Sequence, residues 1–467
     1  MLVHCFAKVI GLLLANQLLK MNTSTKFNNG YILGISFISA LGGYLFGFDF
    51  AVISGALPFL RTTFHLTTWW EGFLTGSLAL GCIVGCLVAG GIADKYGRRP
   101  GLMVAAAIFA VSSLGMAFSQ VLTEFVVMRF AAGIGVGMAS MLSPMYIAEV
   151  SPAAIRGRNV AINQLTIVIG ILVTNVVNYN LSDKGPDAWR WMFGMGCVPS
   201  LLFLFGVIFL PESPRWLVKA GQDEKALKIL NKIGDPGFAG STMSDIALSL
   251  TGSKKEAYSA VFAKAVRPAV VVGITLAVFQ QFCGINVVFN YTSTIFKSVG
   301  ATLDSQLRQT VAIGGVNLVL TVLAMFLVDK LGRRPLILIG SLGLSILYVI
   351  LAFSLKNQES PLIVSACVLL AIGMYATSLA PVTWVLISEI FPNSIRGVAS
   401  SVAIVCLWGA YFILVFTFPP LAAKLGVYST FYLYAAICFL GFLFIKAKVK
   451  ETKGQTLEQL EHNFKGH

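Results

Sequence analysis

The sequence has few charged residues for its length. Only 12% of its 467 residues are Asp, Glu, Lys or Arg, whereas 57% are hydrophobic. A water-soluble protein of this composition would have too little polar surface to cover itself. The composition therefore excludes an ordinary soluble domain and indicates an integral membrane protein.

Residues that usually build catalytic or metal centres are also scarce. The chain has four histidines, and all of them lie outside the apolar segments. Most of the eight cysteines lie inside apolar segments without a companion histidine, so they lack the ligand pattern of a metal site. We expect no enzyme activity and no cofactor, and the dispersed basic residues argue against nucleic-acid binding.

Twelve continuous apolar runs are present, each of about 20 residues, the length of a helix that crosses about 30 Å of hydrocarbon. Continuous runs favour helices over the short alternating strands of a membrane barrel. We predict an all-α membrane protein with twelve transmembrane helices in two pseudo-symmetric six-helix bundles. The predicted segments are an N-terminal extension (1–30), a first bundle (31–210), an intracellular linker with short helices (211–267), a second bundle (268–446) and a cytoplasmic tail (447–467). Two spans of the second bundle are predicted at 268–296 and 361–391.

The first 20 residues are apolar but interrupted by Lys8 and Asn16, and an ordinary polar start follows Met21. This pattern favours a disordered extension or an upstream start. A cleaved signal peptide and a thirteenth span are the alternatives.

Basic residues predict the orientation, because Lys and Arg that flank a span are retained on the cytoplasmic side. With residue 30 inside, only seven of the 34 Lys and Arg face outward. These seven are Arg61, Lys184, Arg190, Lys297, Arg308, Lys356 and Lys424. We expect a multi-pass protein of the plasma (inner) membrane with both termini in the cytoplasm.

One basic motif occurs in each half of the chain. Asp94-Lys95-Tyr96-Gly97-Arg98-Arg99-Pro100 returns 235 residues later as Asp329-Lys330-Leu331-Gly332-Arg333-Arg334-Pro335. Glu149 and Arg156 likewise return 240 residues later as Glu389 and Arg396. Duplicated halves are typical of secondary transporters, whose substrate site lies between the halves. These charges either only set the topology or form a cytoplasmic gate. The gate set is Asp94, Arg98, Arg99, Glu149, Arg156, Asp329, Arg333, Arg334, Glu389 and Arg396.

Only two charged residues lie deep inside the predicted spans, Asp49 and Arg129. At about 1.5 Å per helical residue, both lie about 10–14 Å below the outer surface, so they can pair. A static ion pair between two helices is one interpretation. The other is proton coupling, in which Asp49 titrates as a conformational change alternately exposes it to Arg129 and desolvates it.

Four segments resemble signatures of the sugar porter family of the major facilitator superfamily. They are the repeated basic motif, Pro211-Glu212-Ser213-Pro214-Arg215-Trp216-Leu217, Gln280-Gln281-Phe282-Cys283-Gly284-Ile285-Asn286 and Lys450-Glu451-Thr452-Lys453-Gly454. The resemblance extends from residue 30 to 461. It implies two bundles that rock about a central monosaccharide site. It also aligns Asp49 with the proton-binding aspartate of the family's symporters, where animal facilitators carry asparagine.

The resemblance further implies a sugar site built from amides and aromatic rings. Carboxamides both donate to and accept from sugar hydroxyls, and rings pack on the C–H faces. For any single amide, a hydrogen bond between helices is the alternative. The implied set is Phe46, Gln164, Gln280, Gln281, Asn286, Tyr291, Asn317, Trp384 and Trp408. Two departures are noted: Leu407 stands where a proton-coupled member has a sugar-binding glutamine, and Asn290 replaces the first residue of a Tyr-Tyr pair.

The sequence therefore predicts a proton-coupled symporter of a pentose or hexose that works by alternating access. Protons are the coupling ion, and the protein is expected to work as a monomer in the lipid bilayer. A passive sugar facilitator is the alternative. A sugar sensor that does not transport is disfavoured by the short tail.

Overall fold

The computed structural model describes residues 27–251, 261–263, 266–391 and 395–453, and regular structure in these ranges is helical. The helices of the first part are α1 (Asn29–Thr63), α2 (Thr68–Tyr96), α3 (Arg98–Phe118), α4 (Leu122–Val150), α5 (Arg156–Leu181), a 3₁₀ turn (Ser182–Lys184), α6 (Ala188–Gly194), α7 (Cys197–Phe209), α8 (Pro214–Lys219), α9 (Asp223–Ile233) and α10 (Pro236–Thr251). Those of the second part are α11 (Arg267–Phe282), α12 (Ile285–Asn290), α13 (Thr292–Lys297), α14 (Leu303–Leu331), α15 (Arg333–Lys356), α16 (Pro361–Thr377), α17 (Leu379–Ile390), α18 (Arg396–Leu425) and α19 (Val427–Lys448).

Twelve helices or helix pairs of the described residues are long and apolar enough to cross a membrane. The predicted fold class and the predicted number of spans are confirmed. Below, residues 35–213 are called the first half and residues 266–453 the second half. Both belong to one compact unit.

Two spans of the second half are broken, a feature that the predicted span boundaries do not address. Between α11 and α12 the backbone turns at Gly284, which has a φ of +85°. Between α16 and α17 it turns at Ser378, with φ −131° and ψ −85°. Hydropathy does not reveal these breaks, because each broken span as a whole is still apolar enough to cross a membrane. Broken helices leave backbone polar groups free, and such breaks are tolerated where the backbone lies inside protein.

Glycines allow α2 and α4 to pack with their backbones in contact. A Cβ added at Gly81 would lie 2.0 Å from the carbonyl oxygen of Phe130, and one at Gly133 would lie 2.1 Å from that of Leu78. The spaced glycines of α4 are therefore packing residues, as small residues in membrane helices commonly are.

A second compact unit contains the described residues 27–34 and 214–251. Its helix α9 spans Asp223–Ile233, where the sequence pattern indicates a short amphipathic helix. This helix buries Ala226, Leu230 and Ile233. Phe27 packs edge-on against Phe238 with ring centroids 5.2 Å apart. The N-terminal extension before residue 27 and the tail after residue 453 lie outside the described residues, so the predictions for them stay predictions.

The α2–α4 contact provides a test of the packing. We expect Gly81→Ala to lower thermal stability by about 1–3 kcal/mol, because its Cβ would overlap a backbone carbonyl that cannot rotate away. Gly91→Ala in the same helix is the matched control, since a Cβ there meets nothing within 4 Å. Thermal melting followed by size-exclusion chromatography compares the two. Equal melting temperatures would contradict the close packing.

Candidate transport site

A fully buried ion pair joins α1 to α4. Arg129 Nη1 donates to Asp49 Oδ1 at 3.3 Å, and neither side chain has any exposed surface. The guanidinium also lies over the Phe193 ring, 5.7 Å from its centroid. The pairing expected from matched depth is therefore confirmed.

This pair is incompletely compensated. Asp49 Oδ2 and the Nε and Nη2 of Arg129 are buried and have no hydrogen-bond partner among the described residues. Removing two charges from water is costly, and a single bond offsets it poorly. A carboxylate with one free oxygen and one donor can accept a proton when a path to it opens.

The helix break in the second half brings three amides together. Gln281 Nε2 donates to Gln280 Oε1 at 3.1 Å, and Asn286 Nδ2 donates to Gln281 Oε1. Their side chains lie on both sides of Gly284, and the residues are 2–6% exposed. We call Gln280, Gln281 and Asn286 the amide cluster. It presents both donors and acceptors, which is what a ring of sugar hydroxyls requires.

The other residues implied by the resemblance are more dispersed. Phe46 of α1 packs edge-on against Trp408 of α18 at 5.7 Å, which joins the two halves. Gln164 is half-buried in α5, Asn317 is buried in α14 and Trp384 is 42% exposed in α17. The hydrogen bonds and ring contacts recorded for the described residues do not link these three to the amide cluster.

Tyr291 has a structural contact in this conformation. It is fully buried, and its hydroxyl donates to the carbonyl oxygen of Val415 at 2.9 Å. Its ring packs against Phe418 with centroids 4.8 Å apart. A role in sugar contact stays a prediction. Of the two departures, Leu407 is 3% exposed, and Asn290 is fully buried and bonded to Tyr411.

At one end of the first half, named the basic end, Arg98 forms a two-bond ion pair with Glu149. Both nitrogen–oxygen distances are 2.9 Å. The backbone N–H of Arg98 and that of Arg99 donate to the Glu212 carboxylate, at 2.9 Å and 3.2 Å. Ser213 Oγ donates to Glu149. Glu212 therefore caps the start of α3, where unpaired N–H groups favour a negative charge.

The second half repeats this arrangement. Arg333 lies 3.5 Å from Glu389, and the backbone N–H groups of Arg333 and Arg334 each donate to Glu451 at 3.0 Å. Thr452 Oγ1 donates to Glu389. The turn glycine of the motif is needed in both copies, since Gly97 has a φ of +105° and Gly332 one of +91°. L-residues with side chains rarely adopt such values.

These ion pairs brace each half separately. Arg98–Glu149 connects α3 to α4, and Arg333–Glu389 connects α15 to α17. Arg156 begins α5 and is exposed. The side chains of Asp329 and Arg396 lie outside the part of the chain that the structure describes. Asp94 is not free, since it takes part in an interaction within the protein. A gate that closes across the halves therefore stays a prediction for these residues.

Sequence reasoning missed the caps Glu212 and Glu451 and the hydroxyls that follow them. A signal was present: Glu212 and Glu451 are 239 residues apart, almost the spacing of the repeated motif and of Glu149 and Glu389. Each lies directly after a six-span half. The duplication therefore includes the Glu212 and Glu451 caps, in addition to the basic motif, the Glu149 and Glu389 pair and the Arg156 and Arg396 pair.

The opposite end holds a contact that sequence reasoning also missed. Arg61, at the end of α1, donates to both carboxylate oxygens of Glu71, at 2.5 Å and 2.6 Å. Its Nη2 also donates to Thr294 Oγ1 of the second half at 2.6 Å. Ser293 Oγ donates to the carbonyl oxygen of Ser54 nearby at 3.2 Å. The two halves are therefore bonded to each other at this end.

The whole chain is similar in sequence and in structure to known membrane transporters. The sequence model of the family described as "Sugar (and other) transporter" matches residues 35–464. The chain is 39% identical to the D-xylose-proton symporter of Escherichia coli K12, over 94% of this chain and 96% of that protein. It is 37% identical to the arabinose-proton symporter of Bacillus subtilis, over 92% and 95%. The inward-open conformation of the xylose transporter XylE from E. coli matches with a TM-score of 0.84 at 38% identity, covering 93% of this chain and 100% of that one.

The two caps differ in their electrostatics. Burial raises the pKa of Glu212 above its usual value, and the backbone N–H donors of Ser213, Arg98 and Arg99 only partly oppose it. The pKa of Glu451 lies below its usual value. Burial alone would raise this pKa, but hydrogen bonds from four backbone N–H groups together outweigh burial. The same motif therefore holds one carboxyl that resists ionisation and one that favours it.

We expect glutamine substitutions at the two caps to respond oppositely to pH. A lowered pKa stabilises the fold above the unfolded pKa, so the advantage of wild type over Glu451→Gln disappears as pH falls through the lowered value. A raised pKa stabilises the fold at low pH, so the advantage over Glu212→Gln disappears as pH rises through the raised value. Melting temperatures between about pH 3 and pH 7.5, a range that extends to both sides of the usual Glu pKa, measure both. Parallel trends for the two variants would contradict the assignment.

Proposed function

Because this chain belongs to the sugar porter family of the major facilitator superfamily, we propose that it carries a pentose or hexose across the membrane together with a proton. Family membership makes it a multi-pass membrane transporter and not an enzyme. The observation that carries the proposal is the fully buried Asp49–Arg129 pair, which keeps a titratable carboxyl inside the membrane. Relatives named as D-xylose-proton and arabinose-proton symporters support it.

Sugar binds at the amide cluster in this proposal. Gln280, Gln281 and Asn286 already exchange hydrogen bonds with one another, so they can exchange them with sugar hydroxyls at little net cost. Phe46 and Trp408 pack together on the boundary of the two halves, where an aromatic pair can cover a C–H face. Gln164, Asn317 and Trp384 join this site when the halves close around the substrate.

The proton is carried by Asp49. Arg129 favours the ionised carboxylate while the two side chains are in contact, and separation of the pair inside an apolar site favours the acid. A cycle that breaks and re-forms the pair therefore binds and releases one proton. No cofactor is required, because the coupling ion binds to a side chain of the protein.

Alternating access follows from how the halves are joined. The repeated motifs with Arg98-Arg99 and Arg333-Arg334 lie at the basic end, and Lys and Arg that flank a span are retained on the cytoplasmic side. This supports a cytoplasmic location for the basic end and, in this proposal, for both termini. The Arg61–Glu71–Thr294 contact joins the halves at the outer end, which supports an inward-facing conformation in this proposal. The bracing of each half by Arg98–Glu149 and Arg333–Glu389 lets it move as a rigid body, as a monomer in the bilayer.

A passive sugar facilitator is the second candidate. It is favoured if Asp49–Arg129 is a static pair that only fixes the α1–α4 contact, which the bond of 3.3 Å also permits. A sensor that binds sugar without carrying it lacks a supporting observation in the described residues.

Symport is tested by Asp49→Asn in proteoliposomes. We expect this variant to lose accumulation of sugar under an imposed proton gradient while keeping sugar exchange in counterflow, because asparagine cannot carry the proton. The wild type should take up protons when sugar is added. Asp304→Asn is the matched control, since Asp304 forms an exposed pair with Arg308 on the surface of α14.

Two results would decide against symport. Wild type that accumulates no more sugar under a proton gradient is a passive facilitator. Loss of both accumulation and counterflow in Asp49→Asn, with the Asp304→Asn control active, would assign the pair a structural role.

The outer contact is tested by Thr294→Val. This change removes one of the two hydrogen bonds described between the halves at this end, leaving the Ser293–Ser54 bond and the Arg61–Glu71 pair in place, so we expect the outer end to open more often. Amide hydrogen exchange near residues 54–63 and 291–297 should become about 2- to 10-fold faster, the effect of losing one hydrogen bond of about 0.5–1.5 kcal/mol. Thr62→Val is the control, because the Thr62 hydroxyl bonds only to Phe59 of its own helix. Unchanged exchange in Thr294→Val would exclude the contact as a closure of this end.

A further inference from the structure

Tyr411 of α18 lies where the amide cluster, the aromatic pair and the charge pair come together. It is 1% exposed. Its hydroxyl accepts a hydrogen bond from Asn290 Nδ2 at 2.9 Å. Its ring packs against Trp408 at 5.7 Å and against Phe50 at 5.9 Å between centroids. The sequence pattern did not single out this residue, because a tyrosine in an apolar span has no distinctive spacing.

On one side, Tyr411 holds the short helix that carries part of the amide cluster. Asn290 Nδ2 also donates to the carbonyl oxygen of Asn286 at 2.7 Å, while Asn290 Oδ1 has no partner among the described residues. Asn286 in turn donates to Gln281. The Tyr411 hydroxyl therefore fixes the orientation of Asn290 and, through it, the position of α12 relative to the sugar-facing amides.

On the other side, Tyr411 touches the helix that carries the proton site. Phe50 directly follows Asp49 in α1, and its ring contacts both Tyr411 and Phe289, the latter at 5.6 Å. The titratable and charged groups that surround Tyr411 and this pair are Asp49, Arg129, Cys82 and Cys86. A movement of α1 when the Asp49–Arg129 pair breaks is thus passed directly to α12 and α18.

We propose that Tyr411 is a positioning residue that couples protonation of Asp49 to the sugar affinity of the amide cluster. The inference rests on the proposed function and adds the residue that joins its two sites. In the inward-facing conformation, Phe50 and Tyr411 hold Asn290 and Asn286 in one arrangement. Displacement of α1 shifts the Tyr411 ring, releases the Asn290 amide and changes the geometry that the sugar meets.

The test uses Tyr411→Phe, which keeps the ring on Phe50 and Trp408 and removes only the hydroxyl. Sugar exchange is measured in proteoliposomes with equal pH on both sides, between pH 5.5 and 8, using xylose and glucose as probes. We expect the KM of the variant to rise about 2- to 10-fold, the effect of one lost hydrogen bond. We also expect its KM to depend on pH at most half as strongly as that of wild type, with little change in kcat.

Two further variants separate positioning from general damage. Tyr348 is another fully buried tyrosine, and its hydroxyl has no hydrogen-bond partner among the described residues. Tyr348→Phe removes this hydroxyl and should leave KM and its pH dependence unchanged. Asn290→Ala combined with Tyr411→Phe should raise KM no further than Asn290→Ala alone, because Asn290→Ala already removes the bond to Tyr411 together with the bond to the Asn286 carbonyl.

Each outcome separates this inference from the proposed function. A raised KM with unchanged pH dependence, or additive effects in the double variant, would overturn the coupling role while wild type still accumulates sugar. If Tyr411→Phe does not fold, Asn290→Ala alone must show the reduced pH dependence, and its absence there overturns the proposal. Failure of symport itself would be seen in wild type, which would not respond to a proton gradient.

Discussion

The ion pair between Asp49 and Arg129 is the interaction on which the proposed transport cycle depends. A single charge inside the membrane would be strongly unfavourable, so each of these residues needs the other. Yet they share only one hydrogen bond, and one carboxylate oxygen and two guanidinium nitrogens have no partner in the described residues. In the proposed cycle, this pair holds α1 against α4 and separates when Asp49 takes up a proton.

The two halves share a scaffold but differ in chemistry. At the basic end each half repeats an arginine–glutamate pair and a second glutamate that caps the helix after the motif. This bracing supports the proposal that each half moves as a rigid body, with the motion at the boundary between the halves. The charge pair belongs to the first half and the amide cluster to the second. Coupling must therefore cross the boundary, where Phe50 meets Tyr411 and Phe289.

Much of the candidate site was predictable because membranes impose strict rules. Only buried charges and amides stand out in apolar spans, and this singled out Asp49, Arg129 and the amides around Gly284. What could not be predicted has physical reasons. Glu71 and Glu212 look like ordinary polar residues beside a span, and only the folded chain shows that they accept bonds from Arg61 and from the start of α3. Tyr411 resembles any buried tyrosine until its hydroxyl is found on Asn290.

The sequence by itself determined the membrane environment, the number of spans, the duplicated halves and the family signatures, because these follow from hydropathy and from spacing along the chain. The tertiary structure alone decided that the helix breaks at Gly284 and Ser378, that the ion pairs of the basic end brace each half, and that Arg61 bonds to Thr294 across the halves. Hydrogen bonds of this kind join residues as many as 239 positions apart in the chain. They depend on side-chain direction and depth, which hydropathy along one dimension does not record.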